Sequence, residues 1–436
     1  MTDGLGLGDA YGATLSRIKG QGGRKSKLGM AALMWISHAE RPLNSDELCH
    51  ALAVEIGSPS LNSDNVPSIG TLLACCQGLV AVDKEASTLR LIHFTLQEYL
   101  RAHPELFGAA HSTIAETCLS YLNSQQVKAL STYPTPNLQS TPFLEYSSLY
   151  WGVHAKIELS DCAHLLSLTL FDDYINHLSA KILLMAQKWP PYWIDFNKLS
   201  LFNGLHCASI FGIGEIVVSL IEKEGCDINR RDCTGNQPLV WAAYKGCEEV
   251  VKILLGRDDV NPDERSGRGV TPLLWAAHKG HERVVKILLG RDDVNPDKTC
   301  WSNDTPLFWA AHNGHQGVVK MLLEWGVDPD TVNYDGETPL SCAAVRGHEE
   351  IVKMLLERDV NPNRPTGLGF GAQTPLLFAA REGHKGVVEM LLARDDVNPN
   401  LVDTKGRTPL WWAAKNGHLE VITLLQPPSP ATHNTA

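Results

Sequence analysis

Much of what would give this 436-residue chain a chemistry of its own is missing. No stretch approaches the roughly 18 apolar residues of a membrane helix, so no membrane span is expected. The N-terminus, MTDGLGLGDAYG, has no basic segment leading into an apolar run, so no secretory signal is read there. Positive charge is scarce: 38 Lys and Arg against 49 Asp and Glu leave a formal charge of −11, which argues against general affinity for nucleic acid or an anionic membrane. Cys-x-x-Cys pairs and His-Glu-x-x-His are absent, and with them the common zinc arrangements. The 11 cysteines are odd in number, irregular in spacing and often inside apolar helical patterns. They read as small buried hydrophobes in a reducing compartment. The expected location is the cytoplasm, with the nucleus also open to the chain, and no metal or other cofactor is expected.

A phosphate loop is missing too. The nearest approach is GQGGRKS at 20–26. Such a loop needs glycine, four residues, then Gly-Lys-Ser or Gly-Lys-Thr after a buried strand, so that bare amides can wrap the phosphates. Arg24 stands where the second glycine belongs, Lys19 where the first does, and the preceding YGATLSRIK has helical spacing. The stretch is expected to be a flexible basic loop between two helices. A hydrophobic fraction of 44% still supplies ample core, and the length suggests about three domains.

What is present is repetition. KILLGRDDVNPD occurs at 252–263 and again, letter for letter, at 286–297. Around it recurs a frame of the type TPLLWAAHKGHERVVKILL, anchored by Pro238, Pro272, Pro306, Pro339, Pro375 and Pro409 at spacings of 34, 34, 33, 36 and 34. A degenerate earlier copy begins at Gly204. Thr-Pro is a cap followed by proline at the first helical position, where a missing N–H costs nothing. Paired alanines let helices approach closely, and glycines such as Gly280 and Gly314 end the first helix in a left-handed conformation. Val-Val-Lys-Ile-Leu-Leu then places apolar residues at helical spacing for a second helix.

This frame resembles the ankyrin repeat, with Thr-Pro-Leu-His-x-Ala at a period near 33. The resemblance covers about 201–426 and departs from the pattern at the histidine, kept only as His206. Trp241, Trp275, Trp309, Phe378 and Trp412 share one register position and are expected to form a buried aromatic ladder. The Gly-His of each copy, as in His278-Lys-Gly-His281 and His312-Asn-Gly-His315, belongs to the repeat itself and reads as structural. The resemblance implies protein partners, docking on hairpin tips and on the two residues after the paired alanines. Those positions hold Tyr244-Lys245, His278-Lys279, His312-Asn313, Val345-Arg346, Arg381-Glu382 and Lys415-Asn416, five basic residues against one acid. On an acidic chain that reversal suits an acidic or phosphorylated protein segment. At the hairpin tips, Trp301 and Tyr334 are candidate hot spots.

The N-terminal part is organised differently. Helical patterns at 29–39, 43–57 and 68–78 precede LVAVD and LRLIH, which alternate as a hairpin does, and three helices with a two-stranded wing make a winged helix. Residues 60–93 contain only Lys84 and Arg90, too few cations for DNA phosphates. WISHAERPLNSDELCHALAVE, LLACCQGLVAVD and RLIHFTLQEYLRAHPELF are similar to the winged-helix segment of fungal NACHT–ankyrin proteins, relatives of NOD-like receptors, and of the inositol-deacylase family. That resemblance implies that His93, followed by Thr95, Gln97 and Glu98, would lie near the β-phosphate of ADP, provided an ATPase core is supplied. By its residues alone, His93 reads as a core histidine of the wing. No ATPase core is recognisable, so His93 is a fossil, half of a split site, or part of a longer product.

The expected fold is mainly α: an ankyrin α-solenoid with short β-hairpins (201–426), preceded by a winged helix (9–125) and a helical spacer (126–200) and followed by a disordered tail (427–436). The expected function is non-enzymatic protein recognition as the sensor half of a NACHT-type receptor. The alternative is a free-standing ankyrin adaptor with a vestigial winged helix. Hydrolysis of nucleotide is disfavoured, because no residue can cradle a γ-phosphate.

Overall fold

The computed structural model describes residues 5–83, 85–130, 141–187, 201–367 and 371–426, and the chain divides into two compact units, Met1–Thr234 and Gly235–Ala436. The tail at 427–436 and most of the loop expected at 131–142 lie outside the described residues.

In the N-terminal unit, α1 (Leu5–Gly20) and α2 (Gly23–His38) are joined by Gln21 and Gly22 alone. Gly22 and Gly23, at φ 71 and 54, reverse the chain in the least possible length. The expected basic loop is therefore corrected: Arg24, Lys25 and Ser26 form the first turn of α2. α3 (Ser45–Ala53) is capped by Asn44 rather than by the serine and aspartate after it, and Glu47 completes a capping box. α4 (Ile69–Cys75) crosses α2 at Gly29, where a Cβ would come within 2.6 Å of the Cys75 carbonyl oxygen. β1 (Val80–Asp83) and β2 (Thr88–Leu91) pair antiparallel with Val80 opposite Leu91, and the Leu89 amide donates to the Leu43 carbonyl at 2.9 Å. α5 (Phe94–Ala102) closes this winged helix.

Next, α6 (Ala110–Asn123), α7 (Gln125–Lys128), α8 (Leu144–Ile157), α9 (Asp161–Phe171) and α10 (Leu178–Ala186) form a helical layer in which α6 packs chiefly on α8 and α9. Trp35, Phe143, Tyr146 and Trp151 are fully or almost fully buried. A chain of hydrogen bonds links the residues just past α2 to α8 and α6. The Glu40 amide donates to the Tyr146 hydroxyl (3.1 Å), which donates to His154 Nε2 (2.9 Å). His154 must then hold its proton on Nδ1 and donate it to His111 Nδ1, 2.8 Å away. Burial, helped by His111 and His38, pushes His154 down to about 3, so the chain is built for neutral rings. α11 (Gly204–Phe211) and α12 (Gly214–Ile221) are the degenerate first repeat. There His206 is buried, shares a capping box with Asn203 and donates from Nε2 to the Arg230 carbonyl at 2.9 Å.

The second unit is a run of helix pairs. They are α13 (Pro238–Lys245) and α14 (Glu248–Leu255), α15 (Pro272–Lys279) and α16 (Glu282–Leu289), and α17 (Pro306–Asn313) and α18 (Gln316–Trp325). They continue as α19 (Pro339–Arg346) and α20 (Glu349–Leu356), α21 (Pro375–Glu382) and α22 (Lys385–Leu392), and α23 (Pro409–Asn416) and α24 (Leu419–Leu425). Thr271, Thr305, Thr338, Thr374 and Thr408 each cap an inner helix through the side-chain oxygen. The terminating glycines are left-handed, as Gly280 at φ 74. Ala276-Ala277, Ala310-Ala311, Ala343-Ala344 and Ala379-Ala380 are wholly buried where neighbouring inner helices meet. Between repeats, the expected β-hairpins are tight turns joined by isolated backbone bonds, such as Gly267 N to Gly235 O at 3.1 Å and Tyr334 N to Ser302 O at 3.1 Å. Bonds so isolated make no ladder, and no strand forms among the described residues of this unit.

Outer helices are matched at their first turns. Glu248 pairs with Arg283 at 3.3 Å and Lys385 with Glu420 at 3.0 Å. At the two alternate junctions the carboxylates of Glu282 and Glu349 lie where a Cβ on Gly317 and Gly386 would be.

Candidate protein-interaction surface

The residues after the paired alanines occupy the last turn of each inner helix, and the next repeat pins their backbone. The Gly-His histidine donates from Nε2 to a carbonyl one repeat back: His281 to Tyr244 (3.0 Å), His315 to His278 (3.0 Å), His348 to His312 (3.4 Å), His384 to Val345 (3.1 Å) and His418 to Arg381 (3.0 Å). These histidines are inter-repeat latches. Each satisfies a helix-terminal carbonyl, and at Arg381 the Asn416 side-chain amide donates to the same oxygen at 2.6 Å.

Side chains on this turn form a strip. Trp241 meets Tyr244 at 5.8 Å between centroids, Tyr244 meets Trp275 at 5.0 Å and Trp275 meets His278 at 5.4 Å. His278 continues to Trp309 at 4.8 Å, and Trp309 to His312 at 5.6 Å. Arg346 then donates to His312 Nε2 at 3.1 Å. Only Trp241 and Phe378 of the expected ladder are buried; Trp275, Trp309 and Trp412 are half-buried. The expectation of a wholly buried ladder is thus corrected: the rings line the inner face because they interleave with the docking residues.

Cations sit against these rings. The ammonium groups of Lys245 and Lys279 lie 5.4 and 4.8 Å from the Tyr244 centroid, and that of Lys415 lies 5.2 and 4.9 Å from Trp411 and Trp412. Lys245, Lys279, Arg346 and Lys415 make no ion pair with a carboxylate among the described residues. Arg381 differs: it is engaged by Glu382 (2.7 Å) and Gln373 (2.7 Å) and faces Phe378. Asn313 turns back to the Trp309 carbonyl at 2.8 Å. Burial, then the Lys279 charge, push His278 down to about 4, and burial followed by Arg346 lowers His312. Both rings are neutral at pH 7, and each has a buried Nδ1 with no hydrogen-bond partner. Sequence reasoning missed Trp411, whose ring Lys415 faces, and Arg407, which lies 5.2 and 4.1 Å from the Trp411 and Trp412 centroids; the adjacent tryptophans 411 and 412, with a lysine four residues after the first, were the available signal.

Trp301 is 63% exposed and Tyr334 79%. Trp301 also packs on the preceding turn, its indole occupying the space where a Cβ on Gly269 would project. No three His, Cys, Asp or Glu side chains among the described residues could hold a metal, and no described helix is long and apolar enough to cross a membrane.

His93, on the other unit, is exposed, which corrects its reading as a core residue. β2 ends at Leu91, and His93 instead caps α5, its Nδ1 facing the Thr95 amide (3.3 Å) and hydroxyl (2.8 Å). It stands between Ile92 and Phe94, which are 50% and 66% exposed.

Two family models match the chain. The model described as ankyrin repeats (3 copies) matches residues 176–265, 205–300, 259–333, 294–366 and 366–435. The model of the GPI inositol-deacylase winged helix domain matches residues 17–111. No curated protein matches the chain.

Proposed function

Since the chain belongs to the ankyrin-repeat family, we propose that it acts by non-enzymatic recognition, holding an acidic or phosphorylated protein segment along its inner helices. The supporting observation is the strip of Lys245, Lys279, Arg346 and Lys415, cations held against rings with no carboxylate partner on a chain of charge −11. Such groups attract an incoming anion without first giving up an internal ion pair. Tyr244, His278 and His312 supply flat faces between them, and Trp301 and Tyr334 extend the surface at the turns. Replacing Lys279, Arg346 and Lys415 together by alanine is expected to weaken a repeat-selected partner at least about tenfold by calorimetry. Equal affinity would sink the site.

The finer reading is the sensor half of a NACHT-type receptor, with 9–125 as switch, 126–200 as spacer, 201–426 as sensor and a cytoplasmic location. The exposed run Ile92-His93-Phe94 favours it over a free-standing adaptor, since an imidazole edge flanked by two exposed apolar side chains suits a covering domain. An immunoblot against the repeats tests this. A native band far above 47.8 kDa, or a copurifying ATPase subunit whose binding His93→Ala weakens, is expected. A band at 47.8 kDa with no such subunit returns the chain to the adaptor class.

A further inference from the structure

The repeats act as controls for one another, and one outer-helix position breaks their rule. Where the outer helix ends, the equivalent residues are Arg257, Arg291, Trp325, Arg358 and Arg394. At two of these positions arginine has structural work. Arg291 donates to the Leu255 carbonyl at 2.8 Å while gripping Asp293, and Arg394 donates to the Leu356 carbonyl at 2.6 Å while gripping Asp396. Each fork closes a helix C-terminus one repeat back. Trp325 cannot make that fork, and its side chain is 53% exposed. Beside it is a cleft of about 430 Å³, lined by Lys286, Leu289, Gly290, Met321, Glu324 and Trp325. Gly290 leaves the floor bare.

Charge around the cleft is also ordered. Lys252, Lys286, Lys320 and Lys353 recur at one register position of successive outer helices, all exposed. Lys320 reaches Glu324 at 3.9 Å, while Lys252, Lys286 and Lys353 make no carboxylate ion pair among the described residues. Packed helices lie about 8–10 Å apart. A segment in the extended polyproline II conformation, rising about 3.1 Å per residue with three residues per turn, covers that distance in three residues and returns every third side chain to the same face.

We infer that the outer-helix face around Trp325 is a second docking surface, for an extended acidic protein segment. A carboxylate at every third residue meets the lysine column, and one large apolar side chain enters the cleft against Trp325. This surface lies on different helices from the inner-face strip and does not depend on it.

The probe is a fluorescently labelled peptide with glutamate at every third position and one phenylalanine among serines and glycines, its binding to the full chain followed by anisotropy. Trp325→Arg, which places the residue of four sister repeats, is expected to weaken binding about tenfold without lowering the melting temperature. Lys286→Glu changes only an exposed side chain and is expected to weaken binding by a similar factor, keeping the test valid should the first variant fold poorly. In the Lys279, Arg346, Lys415 triple alanine variant, where the inner strip no longer attracts an acidic probe, the peptide is still expected to bind and both cleft substitutions to weaken it by the same factor. No binding by the parent chain, equal binding by both cleft variants, or equal binding of a peptide with serine for phenylalanine would overturn the inference. So would loss of binding confined to the triple variant.

Discussion

In the repeats, an alanine pair, a terminal glycine and a histidine latch are used over and over, whereas each buried contact of the N-terminal unit occurs once. Trp151 meets Phe171 and Phe211 at 5.9 and 5.1 Å, Gly29 clears the Cys75 carbonyl, and one hydrogen-bonded chain runs through His111, His154 and Tyr146. The difference teaches where loss should be local. A repeat array is stabilised by nearest-neighbour interfaces, so one missing contact weakens one seam, while a singular core fails as a whole.

The largest effect is expected from Trp151→Ala. Removing a wholly buried indole should cost about 3–5 kcal/mol and unfold the N-terminal unit in urea well before the repeats. A single merged transition moving by that amount would break the comparison. Acid comes next. His154 binds fewer protons folded than unfolded, so its contribution is full above about pH 6.5 and falls as pH drops toward its folded value of about 3. Between pH 6.5 and 5 the loss should be roughly 2 kcal/mol, and His154→Gln should flatten that slope for the N-terminal transition alone. His315→Ala should cost about 1–2 kcal/mol by leaving the His278 carbonyl without its donor, and His384→Ala should cost nearly the same, which sharpens the idea of equal latches. Hydrogen exchange should then quicken only at the affected seam. Least of all, Arg283→Ala should change stability by no more than about 0.5 kcal/mol, because that guanidinium is 82% exposed.

The same contrast decides what could be read from the letters. Repetition made the helix pairs, their caps and their glycines legible, since each signal appears several times. That Gly-His was structural followed from its recurrence, although its carbonyl partner, 36 to 39 residues back, could not be named. Singular features were harder. Two glycines at positive φ shortened an expected loop to a turn, a φ choice that sequence does not print. His93 looked like a strand residue because apolar alternation ran through it, but β2 stopped two residues earlier. In the candidate strip, the excess of cations was readable, while the diversion of Arg381 to Glu382 and Gln373 was not, because it depends on rotamers.

The first turns of the outer helices have a consequence for the chain's ancestry. Two repeats share twelve identical consecutive letters, as freshly copied segments do, yet the seams are individually fitted. Charge meets charge at Glu248–Arg283 and Lys385–Glu420, and a carboxylate meets an empty space at Glu282–Gly317 and Glu349–Gly386. Removing the repeat that carries Gly317 in frame would set Glu350 against Glu282, two acids where one acid and a vacancy had been. Loss of that copy by recombination would therefore leave a mismatched seam to be repaired by later substitution, so the neighbours of this repeat are recorded in residues that the repeat pattern itself leaves free.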